Sequence, residues 1–198
     1  MKIWFLNLAL FAAFALNAQS KMASFNAVEI DGPVIVKLIA GDDTGVVAIK
    51  EKDLVSWEVN GESLVVMAQY EKNRDAPQIE ITVSDLKALS VTGSVILEGK
   101  GEFATRRMEI KLSGQSIASL DVDTEILYAR INSQSILTLS GNADDFNLDL
   151  NSQSIANAED LQAATINVSA NNQSVATVNS NGAKVNSQAN NQSIVVQE

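Results

Sequence analysis

Serine and glutamine are the residue types in this chain whose spacing could do chemistry. Gln-Ser pairs stand at Gln115-Ser116, Gln134-Ser135, Gln153-Ser154, Gln173-Ser174 and Gln192-Ser193, at intervals of 19, 19, 20 and 19 residues. A serine becomes a nucleophile when an adjacent base takes its proton, and histidine is the commonest such base. The chain contains no His and no Cys, so no Ser-His pair, thiolate nucleophile or Cys- or His-based metal site can be assembled. An enzyme also needs one activated hydroxyl rather than five equivalent ones. The pattern points instead to a structural ladder. Side chains repeated at a fixed period lie about 4.8 Å apart when successive turns of backbone stack in register, and amides can then hydrogen-bond along the stack. Gln115, Gln134, Gln153, Gln173 and Gln192, with Ser116, Ser135, Ser154, Ser174 and Ser193, are assigned to that ladder, and no residue is assigned a catalytic role.

Some β-helical proteins cleave acidic polysaccharides with Asp, Lys, Arg and bound calcium, so the acids matter. Asp121, Asp123, Asp144, Asp145, Glu159 and Asp160 read as loop residues closing successive coils, gathered along one edge. Calcium takes about six or more oxygens in close array, and no Asp-rich loop with that spacing is present. A solvated acidic edge is the reading, and no metal or cofactor is expected. Arg106-Arg107, Lys111 and Arg130 form the one basic cluster near the repeats. Lys111 and Arg130 fall in one column, where pairing with acids such as Glu109 would relieve their repulsion. Trp57, Tyr70 and Tyr128 are too dispersed to form a stacking platform and read as packing residues.

The elements that position these residues follow from periodicity. Seven residues before each Gln come Met108, Leu127, Phe146, Ile166 and Val185; five before, Ile110, Ala129, Leu148, Val168 and Ser187; three before, Leu112, Ile131, Leu150, Ala170 and Ala189. Mostly polar residues alternate with them, Asn147 among them as an exposed position outside the ladder. That period of two predicts a strand with one buried face in every repeat. Two residues after each Gln stands Ile117, Ile136, Ile155, Val175 or Ile194. An uninterrupted strand would turn these to the opposite side, so a corner is expected between, bringing them inward as well. Ser113-Gly114, Asn132-Ser133, Asn151-Ser152, Asn171-Asn172 and Asn190-Asn191 supply the turn-forming residues for it. Repeats of this length that cannot bury a core alone predict an all-β, single-domain parallel β-solenoid with coils of about 19 residues.

Five regular coils are expected over 105–198, and irregular strands and early coils over 19–104. Val34–Leu38, Val46–Ile49, Trp57–Val59 and Leu64–Met67 are strand-like, with Gly41-Asp42-Asp43 and Asn60-Gly61 as turns. Gly93 stands where later coils carry Gln, and the irregular first coils suit a capping role. At the other end the β-branched run Ile194-Val195-Val196 leaves a strand edge that could pair with a second copy, a homodimer through the C-terminal coil.

Residues 1–18 read as a signal peptide: Lys2, an apolar run from Ile3 to Ala15, and a small residue, Ala18, at the cleavage point. No later stretch reaches the roughly 18 to 20 apolar residues of a membrane-spanning helix. With 14 Lys and Arg against 24 Asp and Glu, and a net charge of −10, the surface repels phosphate backbones, so nucleic acid is excluded as a partner. Export to the periplasm, the outer-membrane surface or the extracellular space is expected.

The chain resembles the auto-transporter adhesin family known by its head GIN domain. The resemblance lies in Phe25-Asn-Ala-Val28-Glu-Ile30-Asp-Gly32-Pro33-Val34-Ile-Val36-Lys-Leu38, then Gly41 and Gly61-Glu-Ser-Leu64. Thr92-Gly93-Ser94 and Ser113-Gly114-Gln115-Ser116 approach the family's Ser-Gly-Ser-Gly turn, whereas later coils carry Asn-Ser-Gln-Ser or Asn-Asn-Gln-Ser. The resemblance implies a secreted adhesin and brings no catalytic motif. The expected function is therefore a non-enzymatic exported protein in adhesion or envelope structure, with a cell-surface, envelope or glycan partner. A glycan-binding or glycan-cleaving β-helix protein is the alternative.

Overall fold

The computed structural model describes residues 23–198, so the expected signal peptide lies outside the described residues. Fourteen strands follow one another: β1 Ala27–Asp31, β2 Val34–Ala40, β3 Gly45–Lys50, β4 Val55–Asn60, β5 Ser63–Ala68, β6 Gln78–Val83, β7 Ala88–Gly93, β8 Val95–Gly114, β9 Ile117–Ile131, β10 Ile136–Leu150, β11 Ile155–Ala170, β12 Val175–Val178, β13 Lys184–Ala189 and β14 Ile194–Gln197. One 3-10 turn, Lys52–Leu54, precedes β4. Among the described residues no helix is long and apolar enough to cross a membrane.

From β7 onward each coil lies parallel to the one before. The β9–β10 ladder runs from Ile136 against Ile117 to Leu150 against Ile131, and β10–β11 continues it from Ile155 to Ala170. The solenoid expected from the period of 19 is therefore present. Inward positions alternate with outward ones, as a half-buried strand requires. Leu127, Phe146 and Ile166 stack directly above one another in the core, as do Ile131, Leu150 and Ala170.

The N-terminal half departs from chain order. β1 lies between β5 and β7, parallel to both, and β2 lies between β6 and β8. The first coil in sequence is thus the second in space. After β2 the chain builds β3 to β6 on one side, then crosses back to place β7 on the other, with Leu86 buried in the crossing and the Lys87 amide donating to the Asn26 carbonyl at 2.7 Å. The cap itself is antiparallel: β3 pairs with β6 and β4 with β5. Antiparallel strands end a parallel stack without presenting another coil-shaped edge. The loop after β5 is tied down by Arg74, which bonds Glu51, Asp53 at 2.6 Å and Glu71 at 2.9 Å. The Arg74 hydrogen bond holds the Asp53 carboxyl down at about 2.

Two expectations are corrected. The β-branched column lies outside: Ile117 is 45 % exposed and Ile194 is 54 % exposed. Parity is reset at the serine, one residue earlier, because Ser116, Ser135, Ser154 and Ser174 turn in to full burial and Ala118, Leu137, Ala156 and Ala176 resume the core two residues on. The acids lie in strands rather than in closing loops, since β9, β10 and β11 bend without breaking. Asp123 stacks on Ala104 and Asn142 and Asp145 on Ile126 and Thr165, whereas Asp121 lies between Ser140 and the acid Glu102. Among the described residues no three acids gather as a cation site.

Candidate functional site

The corners are built in two ways. At Gly114 a single positive φ of 88° turns the chain. A Cβ there would meet the Gly93 carbonyl oxygen at 2.7 Å, so only glycine admits so close an approach. Gly93 accordingly stacks on Gly114 and not on Gln115. The three later corners of this kind use two successive left-handed residues without glycine: Ser133-Gln134, Ser152-Gln153 and Asn172-Gln173, each with φ between 56° and 64°. Asn191-Gln192 repeats the pattern. Non-glycine residues hold this conformation only where the surroundings over-determine it.

Here the surroundings are bonds to neighbouring coils. The amide N–H of Gln134, Gln153 and Gln173 each donates at 3.0 Å to a carbonyl of the following coil. The side chains form the ladder: Gln134 Nε2 donates to Gln153 Oε1 at 3.3 Å, Gln153 to Gln173 at 3.1 Å, and Gln173 to Gln192 at 3.1 Å. Gln115 stands outside this ladder, because its corner is of the glycine type and its N–H turns back to the Gly93 carbonyl. The serines face inward. Ser154 Oγ donates to the Ile131 carbonyl at 3.1 Å and lies 3.3 Å from Ser174 Oγ, and Ser116 Oγ reaches the Ser113 and Gly93 carbonyls. Ser193, in the last coil, accepts from the Ser174 N–H at 3.1 Å.

Ser135 sits where the corner changes type, and among the described residues its buried hydroxyl has no partner. This gives a paired test. Ser154→Ala removes bonded partners and should cost about 1 to 3 kcal/mol, whereas Ser135→Ala removes an unsatisfied hydroxyl and should be neutral or stabilising. Equal losses in the denaturant midpoint of the two variants would contradict the assignment.

A second set of amides occupies the face ending at Leu150 and Ala170. Asn167 Nδ2 donates to Asn147 Oδ1 at 3.0 Å, and Asn186 Nδ2 to Asn167 Oδ1 at 2.9 Å. Asn147 is therefore a ladder member and not the inert position expected. Asn172 donates to Asn151, Asn191 to Asn172 at 2.9 Å and Asn190 to Asn171 at 3.1 Å. Tyr128 stands next to Asn147 in the first column, with Arg107 over its ring at 4.6 Å from the centroid. The basic cluster is paired off: Arg106 with Glu125 at 2.9 Å, Lys111 with Glu109 at 2.9 Å and Arg130 with Asp149 at 3.7 Å. Trp57 packs against the core from the cap and Tyr70 is exposed.

Residues 24–196 match the family described as "putative auto-transporter adhesin, head GIN domain". The chain belongs to this head GIN family. Solved structures share its fold. A putative adhesin from Bacteroides fragilis superposes with a TM-score of 0.71 at 16% identity, over 89% of this chain and 93% of that one. A putative adhesin from Parabacteroides merdae gives 0.70 at 11% identity, over 90% and 93%. A structure from Parabacteroides distasonis named as a putative lipid binding protein gives 0.56 at 13% identity, over 90% and 94%. No curated protein matches the chain by sequence. Within the head GIN fold, glycine corners at Gly93 and Gly114 give way in this chain to left-handed Asn, Ser and Gln pairs, and amide ladders come with them.

Proposed function

We propose that this chain is an exported, non-enzymatic adhesin-type domain that holds a cell-surface, envelope or glycan partner against its repeating faces. One observation carries the reading. The stacked faces present rows of neutral amides and hydroxyls at a fixed spacing, while Arg106, Lys111 and Arg130 are each paired with a single acid rather than converging on a point. Catalysis needs a nucleophile, a base and a charge-stabilising group within reach of one reacting atom; adhesion needs an extended, repetitive surface. The outward column Ile35, Ile96, Ile117, Ile136, Ile155, Val175 and Ile194, continuous in register, adds an apolar stripe of the sort that marks interaction surfaces.

Saturable binding of the purified protein to whole bacterial or host cells, or to envelope fractions, is the expected result; uniform failure to bind any of them would refute the reading. Export is checked by the mass of protein recovered from the cell, which should lack residues 1–18. The proposed self-association uses the outer edges of β13 and β14, which among the described residues pair with β11 and β12 on one side only. Sedimentation should show a dimer at micromolar concentration that Val195→Lys disrupts; a monomer in both cases refutes it.

A further inference from the structure

A shallow groove of about 610 Å3 crosses the coils on the face carried by β9, β10, β11 and β13, lined by Tyr128, Arg130, Asn147, Asp149, Asn167 and Asn186 among others. Three features define what would fit it. A carboxamide carries two N–H donors and an oxygen with two lone pairs, and the Asn147–Asn167–Asn186 ladder uses at most one N–H and one lone pair of each. The remainder forms a row of donors and acceptors repeating every coil, about 14 Å from Tyr128 to Asn186. Tyr128 is 37 % exposed and is held in place by the Arg107 guanidinium over its ring. A tyrosine so fixed offers an apolar surface at the head of the row. Within the groove Arg130 and Asp149 face each other at 3.7 Å, among the described residues no carboxylates cluster there for a metal, and the cation at its head, Arg107, lies against the Tyr128 ring.

A ligand matched to this surface is uncharged and linear, with an apolar flank to lie on the tyrosine and hydroxyls at regular intervals for the amides. These are the properties of a neutral glycan. We propose that the groove binds a neutral oligosaccharide, one sugar against Tyr128 and the following hydroxyls shared among Asn147, Asn167, Asn186 and the Arg130–Asp149 pair. The proposal rests on the reading of the chain as a binding domain and names the chemistry of its partner.

The test presents purified protein to an array of neutral oligosaccharides of glucose, galactose, mannose and N-acetylglucosamine, together with sulfated and uronic-acid glycans. The wild type should bind at least one neutral glycan. Tyr128→Ala and Asn186→Ala should each weaken that binding about tenfold, the loss of one good contact, with the thermal unfolding midpoint retained. Thr138→Ala, exposed on another face, should leave binding unchanged. No glycan bound, binding restricted to the charged glycans, or binding indifferent to both groove variants would overturn the proposal. Cell binding separates the two readings. If the protein still adheres to cells whose surface sugars have been oxidised with periodate, and loses adhesion on protease treatment, the glycan proposal falls while the adhesin reading stands.

Discussion

Phe146→Ala is expected to lower the stability of the chain by about 3 to 5 kcal/mol. Phe146 is fully buried, stacked between Leu127 below and Ile166 above. Its neighbours cannot move in to fill the space, because the separation of coils here is set by backbone ladders that run unbroken from Asp145 to Leu150 on both sides. The cavity would therefore remain, and the cost of an unrelaxed cavity adds to the lost transfer energy. Stability in a stacked repeat is approximately a sum over neighbouring interfaces, and a change in a middle coil damages two. Val185→Ala, in the same column but in the half-buried last coil, touches one interface and a smaller side chain, and should cost no more than about 1 to 2 kcal/mol. Chemical unfolding of the two variants checks the ranking; equal midpoints would mean that the coils do not share a rigid common core.

The repeat made the solenoid legible, and the reason is physical. A stacked coil must place the same kind of side chain at the same depth every turn, so Leu127, Phe146 and Ile166 advertise the core column while Gln134, Gln153 and Gln173 mark the corner. What periodicity could not reveal was handedness at the corner. An alternation argument assumes extended backbone, and two successive left-handed residues shift the phase, which is why the buried residue is Ser154 and the exposed one Ile155. The placement of β1 and β2 inside the stack was equally hidden. Val28, Ile30, Val34 and Val36 look the same whether a coil is first or second, and the crossing from β6 to β7 leaves no mark beyond Leu86.

The groove was partly written in the sequence. The positions six before each Gln are Glu109, Tyr128, Asn147, Asn167 and Asn186, and three consecutive asparagines in one outward column are as much an amide ladder as the glutamines are. Its members alternate with core residues and so look like any polar side chains that face water. The signal that distinguishes them is identity across coils at a single register position, with an aromatic at the head of the row. The Arg130–Asp149 pair follows the same rule, since the two residues occupy one column in adjacent coils.

Gly141→Ala should be among the most damaging single changes in the chain, costing about 3 to 5 kcal/mol. Gly141 lies within β10 at a φ of 100°, opposite Val122. A Cβ at this position would fall 2.1 Å from the Val122 carbonyl oxygen and 2.7 Å from an Asp121 carboxylate oxygen. The first contact is with backbone, so relief requires β9 and β10 to part at the very place where ladder bonds join them. The dihedral cost adds to this, because an L side chain rarely adopts such a φ. Gly61 supplies the control. Its φ of 63° is also left-handed, but a Cβ there meets nothing within 4 Å, so Gly61→Ala should show the backbone cost alone, about 1 to 2 kcal/mol. The difference between the two alanine variants in unfolding free energy isolates the close approach of neighbouring coils. If Gly141→Ala costs no more than Gly61→Ala, the coils are not held at ladder distance here, and the bend of β10 must be freer to move than its hydrogen bonds imply.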